Sequence, residues 1–353
     1  MKEEQYQEAV ELLKTLISIP SLSREENGTA DAIEQFLTKH GAKPKRKLNN
    51  VWVRNKHYDA KKPTILLNSH HDTVKPNGAY TMNPNEALEK DGKLFGLGSN
   101  DAGGPLVSLI AAFLHLFDQK NLKYNLLLAA TAEEEISGKN GIELAFPEFG
   151  KVEFALVGEP TEMHMAVSEK GLMVLDCKVT GRPGHAARDE GENAIYNALR
   201  DIEWFRQYQF AKVSEYLGPV KMSVTVIKAG GQHNVVPDLC EFTVDVRTTD
   251  AYTNEEILKI IRHHVSCEVT PRSVRLRASS IDKDHPIVKA GEALGRKTYG
   301  SPTTSDQALL PVPSLKMGPG DSARSHSADE FIFLDEIREG ISLYVKILEK
   351  VLH

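Results

Sequence analysis

Six side chains in five short clusters have the types and surroundings to hold cations and move protons. The clusters are "SHHDTV" from Ser69, "GLGSNDAGG" from Gly96, "TAEEEISG" from Thr131, "VGEPTE" from Val157 and "GPGDSARSHSADE" from Gly318. They supply His70, Asp101, Glu134, Glu135, Glu159 and His326, an imidazole and carboxylate set without sulfur. Such donors suit zinc, with manganese or cobalt as substitutes. In "SHHD", residues 70 and 72 share one face of a strand while His71 points the other way. A ligating His usually gives its second ring N–H to a carboxylate, so His70 and Asp72 make a ligand and its orienter. The other reading is a polar strand end with satisfied histidines.

Asp101 stands among four glycines, where backbone approaches closely; its alternative role is the N-cap of the following helix. Three consecutive carboxylates, Glu133 to Glu135, repel one another unless cations neutralise them, although a solvated acidic loop has the same composition. Glu159 repeats the arrangement of an apolar strand followed by an acid. Two divalent cations ~3.5–4 Å apart that share one carboxylate make hydroxide available near neutral pH, and a carboxylate left outside the ligand set can act as general base.

The elements around these clusters predict an α/β domain. Amphipathic helices are expected over 5–18 and 29–41, a further helix over 103–118, and buried strands at "TILLNSH", "YNLLLAAT" and "FALVGEP". Short apolar strands between helices make a mostly parallel sheet with helices on both faces, and sites gather beyond its carboxyl ends. From about residue 165 the pattern becomes β-α-β-β-α-β: strands 166–181, 220–230, 239–249 and 267–278, and helices 191–208 and 253–264. Helical pattern over 285–298, an apolar segment at 313–320 and a closing helix over 335–351 return to the first texture. The expected plan is a catalytic domain of residues 1–164 and 279–353, with an inserted α+β domain of residues 165–278.

Bulk properties narrow the class. The 353 residues carry 43 basic and 49 acidic side chains, a net charge of -6 that favours neither nucleic acid nor a polybasic membrane contact. Cys177, Cys240 and Cys267 are too few and scattered for a disulfide framework or a thiolate zinc site. No stretch approaches the ~20 apolar residues of a membrane span, and the N-terminus lacks a signal-peptide core, so the cytoplasm is expected.

The five clusters, in this order and across essentially the whole chain, resemble the co-catalytic zinc amidohydrolases and peptidases that include acetylornithine deacetylase, succinyl-diaminopimelate desuccinylase, carboxypeptidase G and aminoacylase. The resemblance implies two divalent metal ions, Zn²⁺ with Co²⁺ or Mn²⁺ as substitutes. By matching motif, His70, Asp101 and Glu159 would hold one metal, and Asp101, Glu135 and His326 the other. Asp72 would orient His70, Glu134 would be the general base, and a cis peptide would join Asp101 to Ala102. Glu133 departs from the Asp that many members carry. In the inserted domain, His185 in "GRPGHAA" resembles an oxyanion-stabilising His, often lent by a second subunit; Asn234 and Arg247 resemble substrate-binding positions. By themselves these three read as a turn His, a loop-capping Asn and a solvent-face Arg. The implied reaction is deacylation of an N-acyl basic amino acid, N-acetylornithine or N-succinylornithine in arginine biosynthesis, by a homodimer. Asp306 is the expected partner of a substrate ammonium. Succinyl-diaminopimelate desuccinylase and di- or tripeptidase activities are the alternatives within the class; a non-catalytic metal- or metabolite-binding protein is the alternative outside it.

Overall fold

A computed structural model describes residues 3–353, which divide into two compact units: residues 3–167, 280–299 and 305–353 form the first, and 168–279 with 300–304 the second. In the first unit four parallel strands lie side by side in the order Asn125–Thr131, Thr64–His70, Val152–Val157 and Ser314–Lys316. Thr64–His70 is buried along its whole length, as expected of a parallel strand covered on both faces. The helix Gly104–Leu116 is almost wholly apolar and buried, and packs on this strand. Glu3–Ile17 and Leu334–Leu352 turn one apolar stripe inward against that helix. Trp52, Leu66, Leu127, Ala155 and Val157 form a second cluster with Ile142, Ala145 and Phe149. The α/β class is therefore set by strands that can bury both faces and helices that can bury one. Among the described residues no helix is long and apolar enough to cross a membrane.

The second unit is a four-stranded antiparallel sheet, ordered Lys221–Ala229, Leu239–Thr248, Gly171–Thr180 and Glu268–Pro271. Helices Ala194–Gln207 and Asn254–His264 place Ala198, Phe205, Ile257 and Ile261 against Met173, Leu175, Phe242 and Val244. The second helix begins with a capping box between Thr253 and Glu256, two orphan donors satisfied reciprocally.

Three expected elements are shorter than their patterns. Residues 166–181 form two strands, Met165–Glu169 and Gly171–Thr180, because the chain changes sheets at Lys170: Ala166 pairs with Lys316, and Gly171 with Thr248. A Cβ on Gly171 would stand 2.4 Å from Thr248 Oγ1 and 2.5 Å from the Ala278 nitrogen, so only glycine fits at that step. The strand expected to reach residue 278 stops at Pro271, which has no N–H to continue the ladder. The helix expected over 285–298 covers only Pro286–Glu292, and Gly295 follows with φ +77°.

Candidate metal centre

Each cluster leaves a strand or turn of the first unit at the end where a parallel sheet gathers its ligands. His70 is the last residue of Thr64–His70; Asp101 lies in the turn Ser99–Gly103 before the long buried helix. Glu134 and Glu135 open a single short turn after Asn125–Thr131, and Glu159 follows Val152–Val157. His326 follows the turn Ser322–Arg324. Asp101 does not cap the helix: Gly103 holds the position before Gly104–Leu116, so the Asp101 carboxylate is free to face the histidines. The peptide between Asp101 and Ala102 is cis.

His70 Nε2 lies 3.2 Å from Asp101 Oδ1, 3.6 Å from Glu159 Oε1 and 3.8 Å from Glu134 Oε2. Its Nδ1 is 3.1 Å from the Asp72 carbonyl and 3.4 Å from Asp72 Oδ1. On the other side, His326 Nε2 lies 3.0 Å from Glu135 Oε2 and 3.7 Å from Asp101 Oδ2. Two three-residue sets result, His70–Asp101–Glu159 and Asp101–Glu135–His326, each with one donor atom per residue inside 4.8 Å. Asp101 belongs to both, one oxygen toward each imidazole.

The electrostatics show what this arrangement lacks. Burial works against a charged His70, yet Glu134, Asp101, Asp72 and Glu159 outweigh it and hold the imidazole well above its ordinary range. The hydrogen bond to Glu135 lifts His326 to about 9. Burial, reinforced by Glu159, Asp306 and Glu135, pushes Glu134 well above the usual carboxylate range despite the opposing His70. Burial also raises Glu135. Both imidazoles and two of the acids, Glu134 and Glu135, hold protons more tightly than usual, whereas despite burial His70 holds Asp72 and Asp101 below the usual range; the cavity is short of positive charge. Divalent cations fit that deficit and the oxygen and nitrogen donor set.

A ring of groups outside the two sets holds them. Asp72 accepts from the Glu134 and Glu135 backbone N–H groups at 3.0 and 3.2 Å and from Ser23 Oγ at 2.7 Å. Glu330 accepts from the backbone N–H groups of Gly98, Asn100 and Asp101 at 3.2, 2.8 and 2.9 Å. His71 is a tie of the opposite face: Nε2 meets the Asn49 carbonyl and Nδ1 meets Thr29 Oγ1, both at 2.9 Å, while burial pushes it down to about 4. Asp306, expected at the substrate ammonium, is buried; its Oδ2 accepts from Asn68 Nδ2 at 2.8 Å and Thr131 Oγ1 at 2.7 Å. Backbone with positive φ at Glu133, Ser137, His326 and Asp329 concentrates strain beside the two sets, as at many functional sites. Ser23, Glu330 and Glu26, whose Oε1 accepts from the Glu133 N–H at 3.2 Å, lie outside the residues expected from the sequence. Glu330 carried a signal, an acid four positions after His326 within the same cluster.

The second unit holds the other three candidates. Gly184–His185 pairs antiparallel with Val235–Val236, and Ala186 N–H donates to the Asn234 carbonyl at 3.0 Å, so His185 and Asn234 share one ribbon. His185 is exposed, and its Nδ1 accepts from Ala187 N–H at 3.1 Å, which leaves the ring proton on Nε2. Arg247 lies on the strand Leu239–Thr248 and pairs through Nε and Nη2 with Asp245 at 2.9 and 3.1 Å.

Comparisons with known proteins give the family and the fold. Acetylornithine deacetylase of Proteus mirabilis is 30% identical over 301 residues, 78% of this chain and 77% of its own. The LysW-lysine/LysW-ornithine hydrolase of Sulfurisphaera tokodaii is 27% identical over 354 residues, 97% of this chain and 95% of its own. The fold matches a dinuclear metal-binding peptidase of the M20 family from Bacillus subtilis with a TM-score of 0.78 at 16% identity, over 99% of both chains. The profile of Peptidase family M20/M25/M40 matches residues 66–350, from the strand that carries His70 to the closing helix. This chain therefore belongs to Peptidase family M20/M25/M40 and is a metal-binding amide hydrolase.

Proposed function

We propose that the enzyme removes an acetyl or succinyl group from the α-nitrogen of a basic amino acid, ornithine first, using two zinc ions. The observation that carries the two-metal reading is the Asp101 carboxylate, with one oxygen toward His70 and the other toward His326. His70, Asp101 and Glu159 would hold the first ion, and Asp101, Glu135 and His326 the second. When bound, such a pair lowers the proton affinity of water and polarises a carbonyl.

The remaining work falls to the chain. Glu134 lies beside both sets without belonging to either, which leaves its carboxylate to take a proton from water and return it to the leaving amine. Asp72 accepts a hydrogen bond from His70 Nδ1–H at its carbonyl, 3.1 Å away, with Oδ1 at 3.4 Å, and so would keep Nε2 turned to a cation. His185 would donate Nε2–H to the developing oxyanion, a contact worth about 3–4 kcal/mol in comparable sites. Asn234 and Arg247 would bind the substrate, with Arg247 exchanging Asp245 for the substrate carboxylate. The relatives named for acetylornithine and for LysW-ornithine support a basic amino acid as the product.

Purified protein loaded with zinc is expected to hydrolyse N-acetylornithine or N-succinylornithine at least tenfold faster, by kcat/KM, than N-succinyl-diaminopimelate or any of a set of di- and tripeptides. A preference for peptides would replace this substrate by a peptide.

A homodimer is part of the same proposal. The edge strand Lys221–Ala229 carries Val226 and Ile227 at 46% and 53% exposure, large apolar side chains on an unpaired sheet edge. Light scattering is expected to give twice the 39.1 kDa chain mass, and Val226→Lys with Ile227→Lys to halve it. An unchanged mass for that double variant would place the contact elsewhere.

A further inference from the structure

We propose that Glu26 is a positioning residue for the general base: it fixes the turn that presents Glu134. The proposal rests on Glu134 being the base.

Three successive backbone N–H groups, those of Glu133, Glu134 and Glu135, point to buried carboxylates rather than to solvent. Asp72 takes the second and third. The first goes to Glu26 Oε1 at 3.2 Å. Consecutive N–H groups of this kind form a concave anion site, and here the protein fills it with its own acids. Glu133 sits at φ 56°, ψ 21°, a left-handed conformation that a non-glycine residue holds only when its surroundings determine it.

Glu26 is 0% exposed, and both of its oxygens are engaged. Oε1 also accepts from the Arg24 N–H at 2.6 Å, and Oε2 accepts from Asn49 Nδ2 at 2.8 Å. Asn49 in turn offers its carbonyl to His71, the residue directly after the ligand His70. One carboxylate thus joins the entry of the helix Asn27–Lys39, the loop at Asn49 and the first residue of the acidic turn. A shift of that turn by a fraction of an ångström moves Glu134 relative to the scissile bond, where misplacement of 1 Å costs on the order of 10²-fold in rate. Asp72 takes the next two N–H groups and Ser23, and the Glu133 N–H goes to Glu26 instead.

Glu26→Gln keeps the size and one acceptor oxygen but turns an amide NH₂ toward Asn49 Nδ2. Its kcat is expected to fall ~10- to 100-fold, with KM within threefold and two metal ions per chain retained by elemental analysis. Adding Asn49→Asp supplies an acceptor for that NH₂ and is expected to restore kcat to within about threefold of the parent. In a Glu134→Gln background, Glu26→Gln is expected to change the residual rate less than twofold, because the residue it positions is already disabled. A merely structural role would instead lower the rate in both backgrounds and lower metal content with it. Glu26→Gln with parental kcat, or with its loss explained by lost metal, overturns the proposal. A fully active Glu134→Gln would instead remove the base assignment beneath it, so the two failures are told apart.

Discussion

Glu134→Gln is expected to bind its metals as the parent does and to lose about 10²–10⁴-fold in kcat, with little change in KM. That range corresponds to about 3–5 kcal/mol of transition-state stabilisation. Metal retention follows from the geometry: Glu134 is in neither three-residue set, and its Oε2 stands 3.8 Å from His70 Nε2. Loss of turnover follows from chemistry, because Gln has the same shape but no basic oxygen. A small gain in stability is expected of the metal-free variant, since burial and three neighbouring acids disfavour the charged Glu134 there. Elemental analysis and steady-state kinetics on the same sample decide the matter. Full turnover would assign the base elsewhere, and metal loss equal to the activity loss would make Glu134 a ligand instead.

Glu330→Ala should destabilise the protein by about 3–5 kcal/mol and weaken metal binding on the order of 10- to 100-fold. Removing the carboxylate leaves the N–H groups of Gly98, Asn100 and Asp101 without their acceptor in a buried pocket, at ~1–3 kcal/mol each. The total stays below the sum because burial lifts Glu330 to about 7, so keeping it ionised at neutral pH already carries a cost that the Ala variant escapes. Metal affinity falls because those N–H groups hold the turn that aims Asp101 at both histidines. Glu330→Gln preserves one oxygen and should lose less than half as much. Urea denaturation and titration with zinc test both quantities. A Glu330→Ala protein within 1 kcal/mol of the parent, with unchanged zinc affinity, would show that the turn holds its own shape.

The clusters that meet in the candidate metal centre were legible in the sequence because metal chemistry is demanding in residue type. Imidazoles and acids at the ends of apolar strands are conspicuous where burial alone would place valine or leucine. The two histidines of "SHHD" separated correctly on strand alternation: His70 faces the acids, and His71 faces Thr29 and Asn49. Element ends were less legible. Alternation continues through residue 170 although the chain changes sheets there, because a two-residue period carries no record of which strand lies alongside. Asp306 illustrates the same limit. Its neighbours in sequence suggest an exposed loop, and only folding buries it against Asn68 and Thr131.

What the sequence determined by itself was the inventory: an α/β plan, an imidazole and carboxylate donor set, and enough acid at strand ends to require cations. Hydrophobic periodicity and residue chemistry are local properties, so a reader of the chain can recover them. The tertiary structure brought His70, Asp101 and Glu159 together, and Asp101, Glu135 and His326, and it alone revealed which acids serve as acceptors for backbone N–H groups. Glu26, Asp72 and Glu330 are chemically the same kind of group as Glu134, Glu135 and Asp101. They differ in what burial brings within about 3 Å of their oxygens, and in a low-dielectric interior that proximity sets whether a carboxylate takes a proton, a cation or a backbone N–H.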